Sequence, residues 1–154
     1  MKNVCLTVHC GNALASYWLY ANASFFIETI VQKAGVVMRN DKLSVQSMDF
    51  AVSVINLVKC LKENKEHIIS NQIGRSGTSI GANIREAQYA HGKADFIAKL
   101  QIALKEANET GYWLELLLKT NYISENQFKE LDKICTGLRA MLVASINTAK
   151  GNVK

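Results

Sequence analysis

From Met38 onward, apolar residues recur at spacings of three and four, the repeat of a helix that hides one face. The first such stretch, near 44–64, carries Met48, Ala51, Ile55, Val58 and Leu61, with Phe50, Val54 and Leu57 widening the stripe. The second, near 67–90, carries Ile69, Ile73, Ser76, Ile80, Ile84 and Ala87, and His91-Gly92 reads as its C-cap and turn. The third, near 93–120, repeats Phe96, Leu100, Ala103, Ala107, Thr110, Leu114 and Leu117. The fourth opens at Ser124, where Gln127 three residues on makes a capping box. It runs through Phe128, Leu131, Cys135, Leu138, Leu142 and Ser145 to about Lys150. Short turns between long helices make neighbours antiparallel. The pattern therefore predicts an all-α, antiparallel up-down-up-down four-helix bundle over 38–154, preceded by an atypical N-terminal extension, 1–37. Ile73, Ile80, Ile84, Leu100, Ala103, Leu114, Leu131 and Leu138 are its expected core.

One stretch, Arg75-Ser76-Gly77-Thr78-Ser79-Ile80-Gly81-Ala82-Asn83-Ile84-Arg85-Glu86, tests the helical reading. Its glycines suggest a phosphate-cradling loop. Such a loop needs Lys followed by Ser or Thr after the last glycine, or G-x-G-x-x-G between strand and helix. Here Ala82 and Asn83 follow Gly81, and no β-branched strand precedes the glycines. Gly74, Gly77 and Gly81 instead form a small-residue stripe beside the isoleucines. Each costs roughly 1 kcal/mol in a helix interior, so the stripe predicts that a neighbouring helix approaches closely there.

If the turn between the second and third helices is centred on Gly92, facing residue numbers sum to about 184. Arg75 then faces Glu109 or Glu106 as an interhelical ion pair, and Arg85 faces Lys99 with Glu86 close by to separate the like charges. Ser76, Ser79 and Asn83 read as polar interior groups bonding across helices. Trp113, beside Tyr112, reads as a core or interface anchor.

The first 37 residues differ in kind: their only charges are Lys2, Glu28 and Lys33, yet they hold Tyr17, Trp18, Tyr20, Phe25 and Phe26. A secretory signal is weakened by His9, Gly11 and Asn12 within its apolar run, and the segment is too polar for a membrane span. The abrupt change at Met38 raises the expectation that 1–37 is an over-extended start that adds little to the bundle. Proline is absent from the 154 residues, which favours uninterrupted helices. The net charge of +5 permits an anionic partner such as nucleic acid without requiring one. The four cysteines show no C-x-x-C spacing, so they indicate neither zinc nor a redox pair. Cys60 and Cys135 fall at apolar helical positions and read as reduced core residues, which points to the cytoplasm.

Enzymatic chemistry finds no footing. A di-iron bundle needs Glu-x-x-His on facing helices, and the nearest approaches are Glu106-x-x-Glu109 and Glu63-x-x-Glu66. No serine or cysteine has a histidine at a spacing that would activate it. Neither a cofactor nor a metal is expected.

The segment from Asn71, "NQIGRSGTSIGANIREAQYAHGKADFIAKLQIALKEANETGYWLELL", with "FAVSVINLVKCL" before it and "FKELDKICTGLRAML" after it, resembles the four-helix-bundle family that includes the 23S rRNA intervening-sequence proteins. The match runs from about Asn40 to Lys150. Ala87 and Gly111 depart from the usual pattern. The resemblance implies a non-enzymatic cytoplasmic bundle that assembles as a homopentamer. The accessory protein of diversity-generating retroelements is similar in fold, basic and linked to nucleic acid. Arg75, Ser76, Ser79, Asn83, Glu86, Glu106, Glu109 and Trp113 are the motif residues carried over, in structural roles. The family usually begins about where Met38 stands.

These readings lead to a homo-oligomeric basic module that associates with RNA or DNA and not with membrane. Arg75, Arg85, Lys59, Lys62, Lys65, Lys129 and Lys133 are its candidate phosphate contacts. The alternative is a protein-interaction or structural scaffold without nucleic-acid binding. Oligomerisation also follows from apolar stripes wider than one core needs, with Phe50, Val54 and Leu57 on the first helix and Leu116 to Leu118 on the third.

Overall fold

The structure is a computed structural model that describes residues 42–151. The readings placed on residues 1–37, the aromatic extension and its over-extended start, lie outside the described residues. The four predicted helices are present: α1 (Lys42–Glu63), α2 (Ile68–Ala87), α3 (Lys93–Lys119) and α4 (Glu125–Lys150). Each packs on its neighbours in sequence and α4 returns to α1, where contact is least extensive. The order is that of an up-down-up-down bundle. The α1–α2 and α3–α4 turns share one end; the α2–α3 turn shares the other with the start of α1 and the end of α4.

The core follows the predicted stripes closely on α2 and α3. Ile73, Ile80 and Ile84 are buried on α2, and every predicted α3 position, Phe96 to Leu117, is buried. On α1 the buried face is instead Leu43, Ser47, Phe50, Val54, Leu57 and Leu61. Met48 and Ile55, placed at the centre of the expected stripe, are exposed. Helix α1 is apolar over most of its circumference, so periodicity allows either side to face inward. The packed side is the one that includes Val54, which meets the glycines of α2. On α4, Cys135, Leu138 and Leu142 are buried as expected. Leu131 is only half-buried, and Ile146 rather than Ser145 continues the buried stripe. Cys60 is exposed, a correction of its core reading, while Cys135 is buried.

The close approach falls where the glycines predicted it. A Cβ on Gly77 would lie 2.9 Å from both methyls of Val54, and one on Gly74 would lie 3.2 Å from Val58 Cγ2. One placed on Gly81 would lie 3.4 Å from Ser47 Oγ, a nearly ordinary contact. Helices α1 and α2 therefore pack along a face thinned at Gly77.

The turns correct one expectation and add a pattern. α2 ends at Ala87 with Gln88 as a right-handed C-cap, and Gly92 is instead the N-cap of α3 in extended backbone. Left-handed conformation appears at Lys65 and Asn121, both with φ of 60°. Around Lys65, the Glu66 N–H donates to Leu61 O and the Lys65 N–H to Lys62 O. Around Asn121, Tyr122 donates to Leu117 O and Asn121 to Leu118 O. Both pairs of bonds make the same helix-ending motif, so α1 and α3 stop in the same way at the same end. The capping box of α4 is complete, with Ser124 Oγ accepting from Gln127 N and Gln127 Oε1 accepting from Ser124 N.

Candidate nucleic-acid interface

The antiparallel order gathers five of the seven candidate cations at one end. Lys59 and Lys62 lie in the last turns of α1, Lys65 in the α1–α2 turn, and Lys129 and Lys133 in the first turns of α4. All five are exposed. Lys129 pairs with Glu125 at 3.1 Å. Two exposed carboxylates on the same turns, Glu63 and Glu130, dilute the positive field there. Arg75 and Arg85 lie elsewhere. Arg75 sits midway along α2, its guanidinium donating to Glu109 Oε1 at 2.7 Å. That is the predicted interhelical pair, and in so exposed a setting it contributes about 0–1 kcal/mol.

Arg85 lies near the opposite end, at an open cleft of about 380 Å³ lined with Glu86, Tyr89, His91, Asp95 and Lys99. Lys99 Nζ donates to Glu86 Oε2, and this bond, with the nearby negative charge, raises the lysine pKa above 10.5. Asp95 Oδ2 accepts from the backbone N–H of His91. Charges of both signs line the cleft, so it does not by itself select an anion. Tyr89, 84% exposed, adds an aromatic face that the periodicity did not single out.

The motif residues divide between the core and the surface. Ser76 and Thr110 are buried, and their hydroxyls lie 2.9 Å apart across α2 and α3, the interhelical polar contact expected at Ser76. Asn83 corrects the companion expectation. Its amide donates to Ser79 O one turn back on the same helix, because both residues lie on a half-buried flank rather than at the helix contact. Trp113 is half-buried, its indole N–H donating to Glu109 Oε1 at 3.3 Å, with Tyr112 edge-on at 4.8 Å. Glu109 thus joins Arg75 to Trp113. Glu106 is half-buried with Oε2 enclosed and without a hydrogen-bond partner. Glu66, which sequence reasoning passed over, is buried and caps the first turn of α2.

Among the described residues no group of three or more His, Cys, Asp or Glu side chains could hold a metal ion. No described helix is long and apolar enough to cross a membrane. With the bundle and its charges in place, comparison with known proteins locates the chain. The model of the 23S rRNA-intervening sequence protein family matches residues 39–144, and the chain belongs to that family. A solved relative from Bacteroides thetaiotaomicron, a protein with unknown function from the S23 ribosomal protein family, is 53% identical with a TM-score of 0.67. The alignment covers 68% of this chain and 97% of that one. No curated protein matches the chain. Neither the family's name nor the relative's describes an enzyme.

Proposed function

We propose that this chain is a non-enzymatic, basic, homo-oligomeric module that associates with RNA or DNA through charge, in the cytoplasm. The observation that carries the reading is the gathering of Lys59, Lys62, Lys65, Lys129 and Lys133 at one end of the bundle. Membership of a family named for an rRNA intervening sequence supports it. The pentamer rests on the family resemblance alone. A fivefold ring would multiply the chain's +5 into roughly +25, a field that attracts phosphate from a distance. Because no base-reading element is evident among the described residues, binding should discriminate little among sequences.

A protein-interaction scaffold is favoured by a separate observation, the exposed apolar residues on α1. One experiment separates the readings. Binding of labelled single-stranded RNA and duplex DNA is followed by anisotropy from about 50 to 200 mM salt, with particle mass measured in parallel. Steep loss of affinity with salt, reduced further by replacing the five lysines with glutamine, is expected. An oligomer with no affinity for either nucleic acid at low salt would leave the scaffold reading in its place.

A further inference from the structure

Arg85 and Tyr89 lie at the α2–α3 turn, at the opposite end of the bundle from the clustered lysines. The chain is held firmly there. The N–H groups of Gln88, Tyr89 and Ala90 donate in succession to Arg85 O, Glu86 O and Ala87 O. The Gln88 side chain donates to Ser44 Oγ near the start of α1, and the His91 N–H donates to Asp95 Oδ2. Right-handed backbone continues through Gln88. Arg85 and Tyr89 therefore stand one turn apart on the same side, with about 5–6 Å between their Cβ atoms.

Both line the open cleft, together with Lys99, Glu86 and Asp95. Its two cations and two carboxylates do not cancel evenly. Glu86 holds Lys99 by a hydrogen bond and by charge, and Asp95 adds a smaller attraction to the same lysine. The Arg85 guanidinium is left with neither an ion pair nor a hydrogen bond among the described residues. Tyr89 is equally unengaged. Its ring stacks on no other described ring, and its hydroxyl has no hydrogen bond among the described residues.

A single exposed tyrosine is ordinary on a protein surface. Here the tyrosine is fixed in place beside an unpaired guanidinium, on a cleft large enough for a small ligand. That pairing suits an unstacked nucleotide, with a flat ring to meet the base and a cation to meet its phosphate. In a duplex the faces of the bases are already stacked on one another, so the ring finds nothing to cover.

We infer that the α2–α3 turn takes one unpaired nucleotide of a single-stranded nucleic acid, its base stacked on Tyr89 and its phosphate at Arg85. The inference rests on the nucleic-acid reading proposed above and adds to it a preference for single strands. The lysines at the other end attract the phosphates of any strand, whereas a stacking ring discriminates against the duplex. Sequence is still read little, because every base has a π-face.

Anisotropy with the full chain tests this, using a labelled single strand of mixed sequence, a duplex of the same length, and adenosine and uridine monophosphates as competitors. Tyr89→Ala should weaken single-strand binding at least fivefold and change duplex binding little. Tyr89→Phe should keep most of the wild-type affinity, since the ring stays and only the hydroxyl goes. Arg85→Gln should weaken single-strand binding and reduce its salt slope by about 0.7, the share of one phosphate. Both residues are exposed, and circular dichroism checks that the variants fold. The variant with the five lysines replaced by glutamine keeps the two readings apart. If it loses affinity while Tyr89→Ala binds the single strand as the wild type does, the lysine reading stands and this one falls. Equal weakening of single strand and duplex by Tyr89→Ala also overturns stacking. A monophosphate that displaces the strand at micromolar concentration would make the cleft a site for free nucleotides and end the single-strand assignment. A wild type that binds neither nucleic acid at low salt removes both readings.

Discussion

Gly77 packs so tightly against Val54 that a single added carbon would lie 2.9 Å from both valine methyls. In an isolated helix, replacing glycine by alanine gains about 1 kcal/mol. Here the new methyl forces α1 and α2 apart along a packed contact, and overpacking of that kind costs about 1–3 kcal/mol. Gly77→Ala should therefore lower the urea midpoint. Gly81→Ala, whose Cβ would meet only Ser47 Oγ at 3.4 Å, should be neutral or stabilising. Adding Val54→Ala to Gly77→Ala should remove the clash, so the two losses add to less than their sum. Gly77→Ala as stable as the wild type would mean that the helices do not meet at this distance.

The hydroxyls of Ser76 and Thr110 face each other in a region with no solvent exposure. Thr110 also bonds to Glu106 O at 2.8 Å on its own helix. Thr110→Val keeps the shape but leaves Ser76 short of a partner across the contact, at a loss of about 1–3 kcal/mol. Ser76→Ala combined with Thr110→Val should recover part of that loss, since a polar group is no longer stranded. Losses of Ser76→Ala and Thr110→Val that simply add in the double variant would show that the hydroxyls are not coupled.

The two described cysteines should differ sharply in reactivity. Cys60 is exposed, whereas burial pushes the Cys135 thiol from 9.0 up to about 11, against a smaller opposing pull from Arg139. Iodoacetamide should label Cys60 in the folded protein and Cys135 only on unfolding. The pH dependence follows from the same shift. Below about pH 9 the thiol is neutral in both states and its contribution is complete. Between about pH 9 and 11 the unfolded chain ionises first, so stability falls with rising pH by about 2–3 kcal/mol. Cys135→Ala should flatten that part of the profile relative to the wild type. An unchanged slope would remove the assignment.

How much could be read in advance depended on how one-sided each helix is. α3 presents a single apolar stripe, and all its predicted core positions are buried. α1 presents apolar residues on two sides, and the stripe led by Met48 and Ile55 turned out to face solvent. The choice was made by α2, whose Gly77 leaves room for Val54, and that is tertiary information. The Arg75–Glu109 pair was legible because antiparallel register follows from the turn. The gathering of Lys59, Lys62, Lys65, Lys129 and Lys133 at one end needed the topology as well as the sequence. Asn83 was misplaced because spacing shows that two residues share a side of a helix, not whether a second helix covers it.

Glu66 carries the last prediction. Its backbone N–H donates to Leu61 O and closes α1. Its carboxylate opens α2, with Oε1 accepting from the N–H groups of Ile68 and Ile69 and Oε2 from that of Ser70 at 2.7 Å. The left-handed turn at Lys65 brings the two helix ends together so that one residue can serve both. Capping signatures look for Ser, Thr, Asp or Asn at the N-cap, and here the N-cap is His67 without a side-chain bond, so the device left no familiar trace in the sequence. A negative charge at a helix N-terminus adds to the hydrogen bonds themselves. Glu66→Gln, which loses the charge and turns one of the two accepting oxygens into an NH2 donor, should cost about 1–2 kcal/mol. Glu66→Ala, which strands three buried or part-buried N–H groups, should cost about 2–3 kcal/mol. Hydrogen exchange should then speed up first at Ile68, Ile69 and Ser70, with the C-terminal half of α2 little changed. Uniform acceleration along α2, or a Glu66→Ala variant as stable as the wild type, would show that the carboxylate is not what holds this helix start.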